Sequence, residues 1–424
     1  MTLCIIIFAL TIVGMIICVI TNANIKKIPL YLIVTLLGAI LVLACRVLPL
    51  EIALKGLWNN SSVNPIKILI LFISMTSLSV FLDEVGFFTF LACYTLKKAG
   101  ISQLKLFFLL FIVVSVLTVF TSNDIIILTF TPFICYFCKR AKLNPLPYLI
   151  LEFVSANTFS MMLLIGNPTN IYLSLFKNIS FGEYLSVMWL PAILGGITAF
   201  LVLWLLFKKH LATPISFTYE TFKPNTPLVV LGVCHLAICT ILLAVAQFIN
   251  LEMWLITLAF SVSLFISVII YKLIKKEPMQ DVKLTLKRLP WGLIPFLISM
   301  FILVESLNYT GVTQEIAKIL PKGVFSYGVI STLSANLLNN IPMSVLFGSI
   351  INFASLGKAE IFATIIGSNI GAYLTPIGAL AGIMWLNILS THGEKISFLK
   401  FMLYGITIAI PTLLVSLLAL FIMV

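Results

Sequence analysis

Apolar residues run along this chain in stretches of about 20 or more, each long enough to cross a bilayer as a helix, with polar residues gathered in short clusters between them. The pattern predicts spans at residues 3–22, 28–49, 66–96, 104–139, 147–177, 187–207, 227–247, 251–273, 291–308, 326–355, 360–391 and 399–423. The runs are continuous and lack the alternation of a membrane β-barrel strand. Lipid offers the backbone no hydrogen-bond partners, so helices are the expected form. The expected fold class is an all-α polytopic membrane protein.

Four spans, 104–139, 147–177, 326–355 and 360–391, run to about 30 residues, or some 45 Å if straight. Each carries polar or helix-breaking residues near its middle. The breaks read Thr121-Ser122-Asn123-Asp124, Ile165-Gly166-Asn167-Pro168-Thr169-Asn170, Leu338-Asn339-Asn340-Ile341-Pro342 and Leu374-Thr375-Pro376-Ile377-Gly378. Two fall in each half of the chain. Residues 155–166 align without gaps on 367–378, pairing Asn157 with Asn369, Ile165 with Ile377 and Gly166 with Gly378. Ser74-Met75 before Gly86 is echoed by Ser299-Met300 before Gly311. A duplicated origin accounts for the paired order, as in many membrane folds.

Composition removes any soluble reading: 61% of the 424 residues are hydrophobic and 9% are charged, against about 25% charged in an ordinary soluble domain. The net charge of +12 does not point to nucleic acid, because the 26 basic residues form short clusters between spans and no single patch with interleaved aromatics. They record orientation instead, since cytoplasmic loops are enriched in Lys and Arg. Lys97, Lys98 and Lys105 flank the start of segment 104–139, and Lys139, Arg140 and Lys142 flank its end. Both ends therefore lie on one face, which a single crossing cannot achieve.

Segment 104–139 is thus expected to be a re-entrant hairpin turning at Ser122-Asn123-Asp124, and 326–355, between Lys322 and Lys358, to be its counterpart entering from the opposite face. The predicted architecture is two inverted-topology repeats, 1–207 and 227–424, joined by a cytoplasmic linker at 208–226. It has about ten transmembrane helices, the two hairpins, and broken helices at 147–177 and 360–391. Lys26, Lys27, Lys208, Lys209, Lys223, the basic cluster from Lys272 to Arg288, Lys395 and Lys400 then face the cytoplasm, and both termini are external. The first span, with no basic residue before it, is expected to remain as a helix and not to be removed as a signal peptide.

Helices that stop inside a membrane present unpaired backbone groups and the partial charges of their dipoles, which can bind ligands without many charged side chains. The candidate binding residues are accordingly Ser122, Asn123, Gly166, Asn167, Pro168, Thr169, Asn170, Asn339, Asn340, Pro342, Thr375, Pro376 and Gly378. The amides donate and accept, the hydroxyls add ligands, and Gly and Pro open or end the helices. Acidic residues within apolar spans are costly and usually functional, so Asp124 is the first candidate for carrying protons, followed by Glu84 and Glu305. Glu152 is read as balancing Arg140 or Lys142. The eight cysteines lie mostly within apolar spans and imply no disulfide framework. Cys135 and Cys138 share a helical face, but no further Cys or His stands at metal-ligand spacing, so no metal and no cofactor are expected. His210, His235 and His392 are isolated, and an intramembrane enzyme lacks a nucleophile with a base.

At these motifs a resemblance emerges. S-N-D at 122–124 and I-G-N-P-T-N-I at 165–171, then L-L-N-N-I-P at 337–342 and T-P-I-G-A-L-A-G-I-M-W-L at 375–386, resemble the ion transporter superfamily, and most closely its ArsB-type arsenite and antimonite permeases. The likeness covers nearly the whole chain, and Asn339 to Trp385 is its most specific part. It implies efflux of arsenite or antimonite across the cytoplasmic membrane, coupled to inward protons and sometimes energised by a partner ATPase. Relatives of similar architecture include dicarboxylate or other anion symporters and sodium/proton antiporters, which stand as alternatives. Oligomeric state is left open.

Overall fold

The computed structural model describes residues 1–21, 23–25, 28–58, 64–215, 222–246 and 248–424. Lys26, Lys27, linker residues 216–221 and the last residue of the expected spans 3–22 and 227–247 lie outside the described residues. What is described is almost wholly helical, with one two-residue antiparallel pair, Asn24–Ile25 with Ile28–Pro29, between the first two helices. Seven of the described helices are long and apolar enough to cross a bilayer. The chain is a polytopic membrane protein.

Each half carries the same order of elements. The first runs through Thr2–Ile20, Leu30–Ala44, the short Leu50–Trp58, Pro65–Glu84, Phe87–Ala99, Gln103–Phe120, Asn123–Arg140, Leu146–Phe159, Pro168–Leu175 and Phe181–Phe207. The second runs through Thr226–Val245, Met253–Lys275, the short Gln280–Arg288, Leu293–Tyr309, Val312–Ile319, Val324–Leu338, Asn340–Phe353, Lys358–Gly371, Leu380–Thr391 and Phe398–Met423. Polar caps fix where several helices begin. Asn64 accepts from the backbone N–H groups of Ile66 (2.9 Å) and Lys67 (3.1 Å), ahead of Pro65 at the first helical position. Ser102, Ser180 and Ser397 cap in the same way.

All four long segments come as two helices each, as their central polar residues predict. In the second hairpin the arms have 15 and 14 residues, about 22 Å of helix and too short for a hydrocarbon core of about 30 Å. The expected span 66–96 is not one helix. It divides at Gly86, whose φ of +85° only glycine adopts without strain, and Gly311 makes the same turn at +82° in the second half. The break in the fifth segment also opens earlier than its Gly-Asn-Pro run predicts: helix Leu146–Phe159 stops there, and a single 3-10 turn, Leu164–Gly166, precedes Pro168.

Burial is inverted relative to a soluble protein. Nearly every residue of Leu146–Phe159, Asn340–Phe353 and Lys358–Gly371 is buried, although these helices are rich in Ser, Thr and Asn. The long helices Phe181–Phe207, Met253–Lys275 and Phe398–Met423 instead turn Leu, Ile and Phe outward, which suits a lipid exterior. Small residues let the inner helices approach closely. A Cβ on Gly367 would lie 2.5 Å from the Gly328 carbonyl, and one on Gly195 would lie 2.2 Å from Ser416 Oγ.

Candidate functional site

Four helix N-termini begin at the breaks, at Asn123, Pro168, Asn340 and Leu380, so each directs the positive end of its dipole there. At the first hairpin the chain turns through Thr121 and an extended Ser122 that caps the second arm. Asn123 donates from Nδ2 to Asn157 Oδ1 (3.0 Å), and Asn157 donates to the Phe153 carbonyl one turn back (2.8 Å). At the second hairpin the tip is Asn339, held at φ +71°. Asn339 Nδ2 donates to the Ile377 carbonyl (3.1 Å), and the Asn340 N–H donates to the Gly378 carbonyl (3.0 Å). Each hairpin tip is thereby fastened to the broken helix of its own half.

The two broken helices are fastened to each other through Asn369. Its Oδ1 accepts from Asn167 Nδ2 (3.0 Å) and lies 2.8 Å from the Ser160 hydroxyl, while its Nδ2 donates to Asn170 Oδ1 (2.8 Å) and the Ile365 carbonyl (2.8 Å). Ser368 and Thr169 add a hydroxyl contact of 3.2 Å. Asn167 Oδ1 accepts from the Thr169 N–H and hydroxyl, and Asn170 Nδ2 donates to the Ser160 and Leu163 carbonyls. Asn336 does comparable work at the other break, where its Oδ1 accepts from the N–H (3.0 Å) and hydroxyl (2.6 Å) of Thr375 and its Nδ2 donates to the Gly371 carbonyl (3.0 Å). Gly166 and Gly378 permit the close approach, since a Cβ would fall 2.2 Å from the Ser160 carbonyl and 2.5 Å from the Gly371 carbonyl respectively.

Of the residues the sequence singles out, Ser122 and Asp124 line a cavity of about 390 Å³ beside the first hairpin tip. Tyr31, Thr76, Asn387 and Arg288 line it too. Asp124 sits in the first turn of its helix, where the dipole favours a carboxylate, and its side chain forms no hydrogen bond or ion pair among the described residues. Asn123 and Asn340 each keep a buried Oδ1 with no hydrogen-bond partner among the described residues, a matched pair at the two tips. Pro168 and Thr169 border a void of only about 10 Å³ against Ile341 and Ser344. Pro342 is buried in the second arm, and Pro376 is buried between Thr375 and Gly378 in the last break.

The acidic candidates separate. Glu84 is held with Asp83 by the Arg288 guanidinium, which lies 2.6 Å from Asp83 Oδ2 and contacts Glu84 through its other nitrogen. Glu305 lines a smaller cavity of about 270 Å³ with Asn308, Ser349 and Asn352, and accepts from Asn308 Nδ2 (3.0 Å). Glu152 is fully buried, not a surface counter-charge, and accepts from the Thr131 hydroxyl (3.0 and 3.1 Å) and Trp385 Nε1 (3.3 Å). It ties the second arm of the first hairpin to both broken helices. Cys135 and Cys138 are buried, and among the described residues no three His, Cys, Asp or Glu side chains converge to hold a metal.

Sequence reasoning leaves out Asn157, Ser160, Asn336 and Asn369 as site residues. The gapless match of Asn157 to Asn369 across the halves is the signal that could have found two of them.

Hairpins and broken helices that meet around one polar centre inside an apolar shell define a membrane transporter. The chain matches the family model described as Citrate transporter, CitMHS, over residues 15–363, and it belongs to that family. It is 26% identical over 406 residues to an arsenical pump membrane protein of Escherichia coli, with 91% of each chain covered. It is 26% identical over 425 residues to a putative arsenical pump membrane protein of Bacillus subtilis (strain 168), covering 91% of this chain and 92% of that one. The solved structure of Neisseria gonorrhoeae MtrF, described as illuminating a class of antimetabolite efflux pumps, aligns with a TM-score of 0.57 over 99% of this chain and 94% of that one. At 12% identity that likeness is one of fold.

Proposed function

We propose that this transporter exports arsenite and antimonite across the cytoplasmic membrane in exchange for inward protons, with Asp124 as the proton carrier. The observation that carries the reading is the charge of the larger cavity. Asp124 lines it without a counter-ion among the described residues, and the guanidinium of Arg288 at its edge is already taken by Asp83 and Glu84. Among the described residues such a lining offers no spare cation to a multiply charged carboxylate such as citrate. It suits a small neutral solute with hydroxyl groups, and arsenite at neutral pH is mainly that. Ser122, Thr76, Tyr31 and Asn387 supply hydroxyl and amide ligands, and about 390 Å³ holds several molecules the size of water. The names of the two arsenical pump relatives support the same substrate.

In this reading residues 1–207 and 227–424 are inverted repeats joined by the 208–226 linker, and both termini are external. The basic clusters set that orientation. The cavity then lies toward the cytoplasmic face, where export begins, and Glu305 stands in the vestibule on the external side. A partner ATPase is an optional addition to the proton-driven cycle.

The test is transport in proteoliposomes containing a pH-sensitive dye, with arsenite, antimonite, citrate, a dicarboxylate and sodium offered in turn. Arsenite and antimonite are expected to move with opposing proton flux. Movement of citrate or the dicarboxylate with no arsenite flux overturns the substrate. Asp124→Asn is expected to abolish the proton-linked flux in a protein that still elutes as folded, and an unchanged pH dependence removes Asp124 from the cycle.

A further inference from the structure

One short helix enters the transport reading above only through its last residue, Arg288. Gln280–Arg288 follows the long span Met253–Lys275 after a sharp turn at Lys276, whose φ is +53°. The turn is rigid. Lys272 is almost completely buried, and its ammonium pairs with Asp281 (2.6 Å) and donates to the Pro278 carbonyl (2.8 Å). Thr285 donates back to the Asp281 carbonyl (2.7 Å).

Around this fixed turn, Lys275, Lys276, Lys283 and Lys287 are all exposed, and none pairs with an acid among the described residues. Exposed Leu286 and Trp291 accompany them, and the Trp291 indole donates to the Leu286 carbonyl (2.8 Å). A short helix with basic and apolar side chains both outward, at the end of a membrane span, has the composition of an interfacial element. Four unpaired cations beside apolar anchors complement an anionic lipid surface.

The last residue of the helix is Arg288, which grips Asp83 and Glu84 at the end of Pro65–Glu84 and lines the cavity containing Asp124. Asp83 and Glu84 belong to the first half of the chain and Arg288 to the second. The helix therefore joins this exposed basic and apolar face to a contact between the halves.

We propose that Gln280–Arg288, with Lys275 and Lys276, docks on anionic lipid headgroups, and that this docking holds the Arg288 latch on Asp83 and Glu84 at the edge of the cavity. Each lysine close to an anionic surface strengthens attachment about fivefold. Losing all four abolishes the preference for anionic over zwitterionic lipid. Losing Arg288 leaves the preference and cuts its connection to transport.

The experiment reconstitutes the full chain in phosphatidylcholine with or without phosphatidylglycerol and reads two signals. The first is quenching of Trp291 by brominated lipid of either class, taken as the difference between the wild type and Trp291→Phe. It needs no transported solute, so its failure is distinguishable from failure of the substrate reading. Stronger quenching by brominated phosphatidylglycerol is expected, and the preference should vanish when Lys275, Lys276, Lys283 and Lys287 are all replaced by Gln. Equal quenching by both lipids, or a preference that survives the fourfold replacement, overturns the docking. The second signal is proton-linked flux, expected to rise several-fold with phosphatidylglycerol in the wild type and to be independent of it in the fourfold variant. Arg288→Gln should keep the quenching preference and lose the flux response. A flux response that persists in Arg288→Gln overturns the latch.

Discussion

Asn369 carries more of the central architecture than any residue at the breaks themselves, because one amide meets Ser160, Asn167 and Asn170 across the two halves. A buried polar group left without its partner costs about 1–3 kcal/mol, whereas a hydrogen bond made contributes about 1 kcal/mol net. Asn369→Asp keeps the shape but removes the donor to Asn170 and sets a carboxylate among buried amides. It should lower the thermal midpoint of the purified protein by several degrees and reduce flux. Ser368→Ala, which removes only the 3.2 Å contact with Thr169, should change the midpoint far less. Equal midpoints for the two variants would show that the amide cluster is not a structural clasp. The same cluster explains why the sequence reveals the site incompletely. Asn167 and Asn170 stand out because Gly166 and Pro168 surround them. Asn369 and Asn157 sit inside regular helix, where one Asn among apolar residues looks like an ordinary helix position. Asn369 matters through partners about 200 positions away and Asn157 through one 34 positions away, which no local pattern encodes.

At the scale of elements, the sequence shows the four broken segments because Asn, Pro and Gly interrupt apolar runs that are too long. It does not show the turn at Gly86, because a lone glycine just past Asp83 and Glu84 carries no proline or amide to mark a break in span 66–96. Its match to Gly311 is an echo between the halves, yet only the positive φ at both positions reveals a bend. That backbone conformation costs a residue with a Cβ about 1–2 kcal/mol. The two glycines then differ in their surroundings. A Cβ at Gly86 would lie 2.6 Å from the Phe222 ring, and one at Gly311 would lie 3.0 Å from Gln314 Oε1, the end of a flexible side chain. Gly86→Ala should therefore destabilise the protein more than Gly311→Ala, read as the lower of two thermal midpoints in detergent. The reverse order would mean that the Phe222 segment yields freely.

At the scale of the whole molecule, two halves with the same element order enclose very different spaces. The first hairpin tip borders about 390 Å³, while Ile341 and Ser344, just past the second tip, border about 10 Å³ against the broken helix of the first half. In the proposed cycle, with the halves as inverted repeats, the second side would open while the first closes. That cycle predicts that one contact parts: Asn308, near the end of Leu293–Tyr309, donates to the Ser349 hydroxyl (3.2 Å) on the second arm of the second hairpin. A disulfide between these positions requires a Cα separation under about 7 Å, so its formation is itself read first, by gel mobility. In a background without the eight native cysteines, Asn308→Cys combined with Ser349→Cys should lose flux on oxidation and recover it with reductant. Either single replacement should be indifferent to both. Bilayer-wide flux that continues at full rate while gel mobility shows the cross-link formed would place the moving boundary elsewhere, leaving Leu293–Tyr309 and the second hairpin as one rigid body.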